Sequence, residues 1–266
     1  KPFVRIDSLP SNHKMTTHSE QALHTQARAS TMAPQRVMRI LEALASNREG
    51  LTLTQLSQQT QLPKTSLFSL LHSLAQGGYV VSEGKTHRLG SEAFRIAALI
   101  HREDSFPGQV HDLLEQLQQE CGETVMIAVP TEDWMSLVYV DVIESNSSLR
   151  FSIKVGAYRP LYSTTVGKIM LAYASAEQRE RYFEHTELIA FNANTVTDIK
   201  VLLKELNQAR NKGFIFSNGS VEGAMGLAAP LFDARGQLRA AVGAAGPTER
   251  FKSQGKNLTQ LISKCG

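Results

Sequence analysis

Two cysteines in 266 residues rule out a disulfide framework, because Cys121 and Cys265 can form at most one bridge. Neither lies in a metal-ligand spacing, so two reduced, incidental thiols and no metal are expected. No run approaches the roughly 18 consecutive apolar residues of a membrane span. The polar start contains no apolar segment of a signal peptide. A cytoplasmic protein with no membrane partner is the expectation. An excess of one charge is also missing: 28 Lys and Arg against 25 Asp and Glu give a net +3. That value permits nucleic-acid binding without arguing for it, so the distribution of charge has to decide.

Catalytic patterns are missing as well. Gly223-Ala224-Met225-Gly226 and Gly243-Ala244-Ala245-Gly246 are too short for a nucleotide loop, and no Lys-Ser/Thr follows either. No serine sits in a nucleophile elbow. His101, His111 and His185 read as surface histidines, and Asp141 and Glu144 as solvated carboxylates at a strand end. No catalytic residue and no cofactor are therefore assigned.

What is present is a pattern of short elements. Residues 1–31 are rich in Ser, Thr, His and Gln without a hydrophobic period, as in a flexible tail. Met15 is a candidate native start, with residues 1–14 then an added leader. After Pro34, Val37, Ile40, Leu41 and Leu44 mark one face of a helix. Thr52 or Thr54 can cap a second helix, with Gln55 completing a capping box behind Thr52. The turn Thr60-Gln61-Leu62-Pro63 opens a third helix with Leu67, Leu70, Leu71 and Leu74 on one face, stopped by Gly77-Gly78. Tyr79–Val81 and Thr86–Leu89 around Ser82–Lys85 read as a hairpin. Three helices and a hairpin in this order are the layout of a winged helix-turn-helix over residues 32–90.

The outer face of the third helix carries Lys64, Thr65, Phe68, Ser69, His72 and Gln76. It has hydrogen-bonding groups and no carboxylate to repel phosphates, which suits a groove. Lys85, His87 and Arg88 add positive charge at the hairpin. The expected DNA-binding residues are Thr52, Lys64, Thr65, Ser66, Phe68, Ser69, His72, Lys85, His87 and Arg88.

From here a family is recognisable. The chain resembles the isocitrate-lyase-regulator (IclR) family of bacterial transcription factors over about residues 34–265. The match rests on Leu51–Leu56, Leu62–Ser66, Leu74–Tyr79 and His87–Gly90 in the first module. It continues through Pro160–Ala172, Gly213-Phe214, Gly223–Asp233 and Gly246-Pro247. One departure stands out: Phe68 and Ser69 occupy positions where the family carries His or Tyr and Arg.

Residues 91–120 read as a helical linker broken at Ser105-Phe106-Pro107-Gly108. Residues 121–266 read as strands near 125–129, 136–140, 149–153, 214–216, 225–232 and 238–245. Helices are expected at 165–174, 177–184 and 197–212, with one more closing the chain. Short turns such as Asp233–Gly236 argue for an antiparallel sheet, giving an α+β two-domain protein. The resemblance implies a GAF-like effector domain with a ligand cup before Gly167-Lys168. It implies effector contacts from Leu137, Phe151, Ser163, Thr164, Thr165, Val166, Gly167, Glu222, Met225, Gly226, Leu227, Gly243 and Ala245. Gly226, Gly243 and Ala245 replace positions often polar in carboxylate-binding members, so a roomier, more apolar cup is expected. The expected partners are pseudo-palindromic double-stranded operator DNA, a small-molecule effector that is aromatic or partly apolar, and further copies in a homodimer or homotetramer. The competing reading is a metabolite sensor or enzyme with a vestigial winged helix.

Overall fold

Pro34 lies in the first turn of a helix, α1, spanning residues 32–45, which buries Ile40 and Leu44. The computed structural model describes residues 32–100, 106–218, 221–253 and Leu258. The expected tail, Cys265, His101 and the last residues of the closing helix lie outside the described residues. The chain divides between Ile100 and His101 into two units.

In the first unit, β1 (Leu51–Thr52) leads into α2 (Leu53–Thr60). Thr52 is its N-cap: Gln55 N donates to Thr52 Oγ1 at 3.3 Å, and Thr52 N donates to Gln55 Oε1 at 2.8 Å. Gln61 turns the chain at φ 55°, and Ser57 Oγ donates to the Leu62 carbonyl at 2.7 Å. These fix the tight turn into α3 (Lys64–Gln76), which buries Leu67, Leu71 and Leu74. The end of α3 is a Schellman closure. Gly78 N donates to the Ala75 carbonyl at 3.1 Å and Tyr79 N to the Leu74 carbonyl at 2.9 Å. Gly78, not Gly77, takes the left-handed conformation, at φ 75°. β2 (Val80–Glu83) and β3 (Thr86–Leu89) form the hairpin, and β1 extends the sheet to the order β1-β3-β2. One core joins Ile40, Leu56, Leu67 and Val80. α4 (Ser91–Ile100) stays with this unit through Glu92 N on the Gly78 carbonyl.

α5 (Phe106–Cys121) belongs to the second unit, with Pro107 in its first turn and Leu114 and Leu117 in the core. The stretch read as a linker is thus divided between the two units. The second unit is a six-stranded sheet, β6-β5-β4-β9-β8-β7, with every pairing antiparallel. Its strands are β4 (Thr124–Pro130), β5 (Ser136–Ile143), β6 (Tyr158–Pro160), β7 (Ile215–Asn218), β8 (Ala224–Phe232) and β9 (Leu238–Pro247). Alternation sends Val125 and Ile127 to one face, with α5 and Phe251, and Met126 and Ala128 to the other. The second face packs against α6 (Thr165–Tyr173), α7 (Ala176–His185) and α8 (Ile199–Lys212).

The strand expected at 149–153 does not form. The edge beside β5 is taken by residues 156–160 instead. Gly156 N donates to the Tyr139 carbonyl at 2.7 Å, and Tyr158–Pro160 completes the ladder. Pro160 is compatible with this because β6 is an edge strand. Phe151 is held by a side chain, its carbonyl accepting from Thr124 Oγ1 at 2.5 Å.

Two surface assignments also change. His111 Nδ1 lies 2.7 Å from Asp141 Oδ2, and Nε2 lies 3.7 Å from Glu115. The hydrogen bond to Asp141 is the main reason the imidazole pKa is raised. Asp141, expected to be solvated, is buried.

Candidate DNA-binding face and effector cup

The outward face of α3 exposes Lys64, Thr65, Phe68, Ser69, His72 and Gln76, and Ser66 is half-buried. No carboxylate lies on α3. Phe68 is 70% exposed. His72 Nε2 and Gln76 Nε2 are 3.2 Å apart, one helical turn from each other. Thr52 is half-buried and its hydroxyl is engaged by Gln55, so its first role is the cap.

The hairpin is less cationic than its composition suggests. His87 shares a face with Ser82, whose Oγ lies 2.8 Å from Nδ1, and partial burial lowers its pKa. That burial favours the neutral ring over the cation. Arg88 is turned back, with Nε on the Glu49 carbonyl at 3.2 Å and Nη1 3.4 Å from Glu83. Lys85, in the turn, is the exposed cation at the tip.

In the second unit the chain enters α6 through a short 3-10 turn, Leu161–Ser163. Thr164 caps α6, with Gly167 N donating to Thr164 Oγ1 at 3.0 Å. The glycines beneath are contact points. A Cβ on Gly226 would stand 2.7 Å from Thr165 Oγ1, and one on Gly243 would stand 2.5 Å from Val166 Cγ1. On Gly167 it would run into the Leu161 carbonyl. At Gly243, bareness therefore lets the helix start sit down on the sheet and does not enlarge the cup.

The cup opens beside this helix start. It holds ≈ 600 Å³ of space between atoms, its solvent-open mouth included. Of the expected residues, Phe151, Thr164, Thr165, Val166, Met225, Gly226, Leu227 and Ala245 line it. Leu227 borders it although its side chain belongs to the opposite core. Leu137 is buried in the core beneath, and Ser163 donates to the Pro160 carbonyl at 3.1 Å. Neither lines the cup, nor do Gly167, Gly243 or exposed Glu222. Lys168, buried and 2.8 Å from Glu205, also lies elsewhere.

Sequence reasoning missed Met126, Tyr139, Ser152, Ile153, Arg159, Val221, Ala224 and Ala244. Met126 was legible as the in-facing partner of Ala128 on β4. Tyr139 is two residues beyond Leu137 on the same face of β5. Its hydroxyl meets the Thr164 side chain, and burial pushes its pKa up to about 12 against the opposing effect of Arg159. Arg159 pairs in register with Leu137, which turns it to the cup face of the β6 edge. Among the described residues that line the cup it is the only charged one.

The IclR helix-turn-helix domain model matches residues 33–84, and the model of the bacterial transcriptional regulator IclR C-terminal domain matches residues 108–266. The chain belongs to the IclR family. It is 30% identical over 229 residues to the HTH-type transcriptional regulator KdgR of Escherichia coli, covering 82% of this chain and 83% of that protein. It is 30% identical to the E. coli transcriptional repressor IclR over 221 residues, 81% and 80% of the two chains. As a member of the family it is a DNA-binding transcriptional regulator. The fold matches Thermotoga maritima IclR with a TM-score of 0.69 at 23% identity, over 86% of this chain and 94% of that one. It also matches an IclR homologue from Microbacterium hydrocarbonoxydans solved with 4-hydroxybenzoate, with a TM-score of 0.69 at 22% identity, over 87% and 99%.

Proposed function

We propose that this IclR-family regulator binds a pseudo-palindromic operator as a homodimer or homotetramer and answers to an aromatic or otherwise partly apolar metabolite that carries an anionic group. The observation that carries the effector reading is the lining of the cup. Its walls are mainly Met126, Phe151, Ile153 and Val166, and Arg159 is the one charge among the described residues that line it. An apolar body fits those walls, and a planar guanidinium at the rim suits a carboxylate. The N-terminal end of α6 beside the cup, where Thr164, Thr165 and Val166 line it, adds a second attraction for negative charge. α4 supports the oligomer: Phe94 is 62% exposed and Leu99 50%, on a helix with no buried residue. Effector binding alters transcription through different affinities for operator-competent and incompetent states.

Calorimetry on the full-length protein tests the effector class. The ligand panel is 4-hydroxybenzoate, its carboxamide, glyoxylate and pyruvate. The aromatic acid should bind, with the amide roughly tenfold weaker, as the loss of a charge-assisted hydrogen bond implies. Arg159→Gln should erase that difference. Binding by the small keto acids alone would overturn the reading. A gel shift with the DNA upstream of the protein's own gene, with and without the binding acid, then tests the coupling to operator.

A further inference from the structure

We propose that Phe68 reads the 5-methyl group of a thymine in the major groove of the operator. The inference rests on the DNA-binding reading of α3 and goes on to name what that helix recognises.

Phe68 is the fifth residue of α3 and is 70% exposed. The core of the unit does not include it: Leu67, Leu71 and Leu74, on the other face of the helix, are the buried residues of α3. Among the described residues Phe68 takes part in no aromatic pair and packs in no apolar cluster. Thr65 and Ser69 flank it on the exposed face with short side chains, and Lys64 and His72 lie one turn to either side. Hydroxyls on both sides can donate or accept, and they tolerate several bases.

A phenyl ring can neither donate nor accept a hydrogen bond at a base edge. In the major groove the one apolar group that distinguishes one base pair from another is the thymine methyl. The second turn of a recognition helix is within reach of base edges once its N-terminus approaches the backbone, and Lys64 stands at that N-terminus. Burial against a methyl also removes from water a ring that the fold leaves wet.

The test uses the full-length protein and a random-sequence duplex pool. The enriched duplex is resynthesised with each thymidine in turn replaced by deoxyuridine, which removes the methyl and keeps the pairing. One position per half-site should weaken binding, by roughly fourfold, the fold-change that about 0.8 kcal/mol per buried methyl-sized group converts to. Phe68→Ala, which removes the contact from both half-sites, should match the loss of the duplex carrying deoxyuridine at both positions and show no further loss on that duplex. Phe68→Leu should retain part of the preference. An unchanged urea midpoint for both variants, expected of an exposed side chain, separates lost readout from lost folding. Equal binding of every deoxyuridine duplex by the wild type, or an unaltered thymine preference in Phe68→Ala, overturns the inference while leaving DNA binding intact. Failure of the wild type to enrich any sequence defeats the DNA-binding reading itself, and the inference with it.

Discussion

Replacing Gly243 by alanine tests whether the helix start at the cup is set by a glycine beneath it. The added Cβ would lie 2.5 Å from Val166 Cγ1 and 3.2 Å from the Leu227 carbonyl oxygen. Val166 is β-branched, buried and in the first turn of α6, so it cannot swing aside without moving the helix. Overpacking of this kind costs about 1–3 kcal/mol. With an m-value near 2 kcal/mol/M the urea midpoint should fall by roughly 0.5–1.5 M. The single tryptophan, Trp134, lies in the second unit and packs against its core, so its fluorescence reports that unit's unfolding. Val166→Ala alone should cost about 1.5 kcal/mol for its two lost methyl groups. The double variant should be at least ~1 kcal/mol more stable than the sum of the singles, because the smaller side chain relieves the clash. Strict additivity would refute the argument that Gly243 exists to admit Val166.

Three further outcomes follow from the geometry. Glu123, almost fully buried, holds Arg250 through two hydrogen bonds of 2.5 and 2.8 Å. Glu123→Gln should cost about 2–3 kcal/mol by the Trp134 urea midpoint, below the value for a fully buried pair because Arg250 is partly exposed. The pKa of His111 is raised in the folded state, so the stability it contributes is complete below the unfolded value near 6.5 and is lost as pH rises through the folded one. Between pH 6 and pH 8 the urea midpoint of the wild type should therefore fall relative to Asp141→Asn; parallel profiles would count against the pairing. Lys85→Ala should weaken binding to operator and to random duplex alike and lower the salt slope by about one unit for each DNA-bound protomer in a titration at several salt concentrations. Arg88→Ala, already tied to Glu83 and Glu49, should change that slope less.

The first unit was legible because local rules decide it. Thr52 with Gln55, Pro34 in a first turn and the glycines after Gln76 each act within a few residues. The long strands and α6 to α8 followed from uninterrupted periodicity. Errors arose where distant segments decide. Apolar residues at 149–153 gave a strand-like pattern, yet the edge of β5 was claimed by Tyr158–Pro160, a segment that its proline disguises. Arg159 as a cup residue depends on that pairing and was invisible without it. Gly243 looked like empty space because no local rule announces Val166, 77 positions earlier, as the atom that fills it. His87 and Arg88 counted as charges in the sequence, but Ser82, Glu49 and Glu83 engage them.

The sheet order has a consequence for synthesis. β4 opens the second unit's sheet and β9 is its last strand, yet they lie side by side at its centre, with Thr124 opposite Ala245. That seam joins segments ~120 residues apart, so it closes slowly and only after the distal strand has left the ribosome. Until then β4 and β8 each lack a neighbour along an apolar edge that invites mispairing with other nascent chains. The first unit, built from near-neighbour contacts, is free to fold as soon as it emerges. Its ability to engage nucleic acid can therefore precede, on the same polypeptide, the completion of the sheet that carries the effector cup.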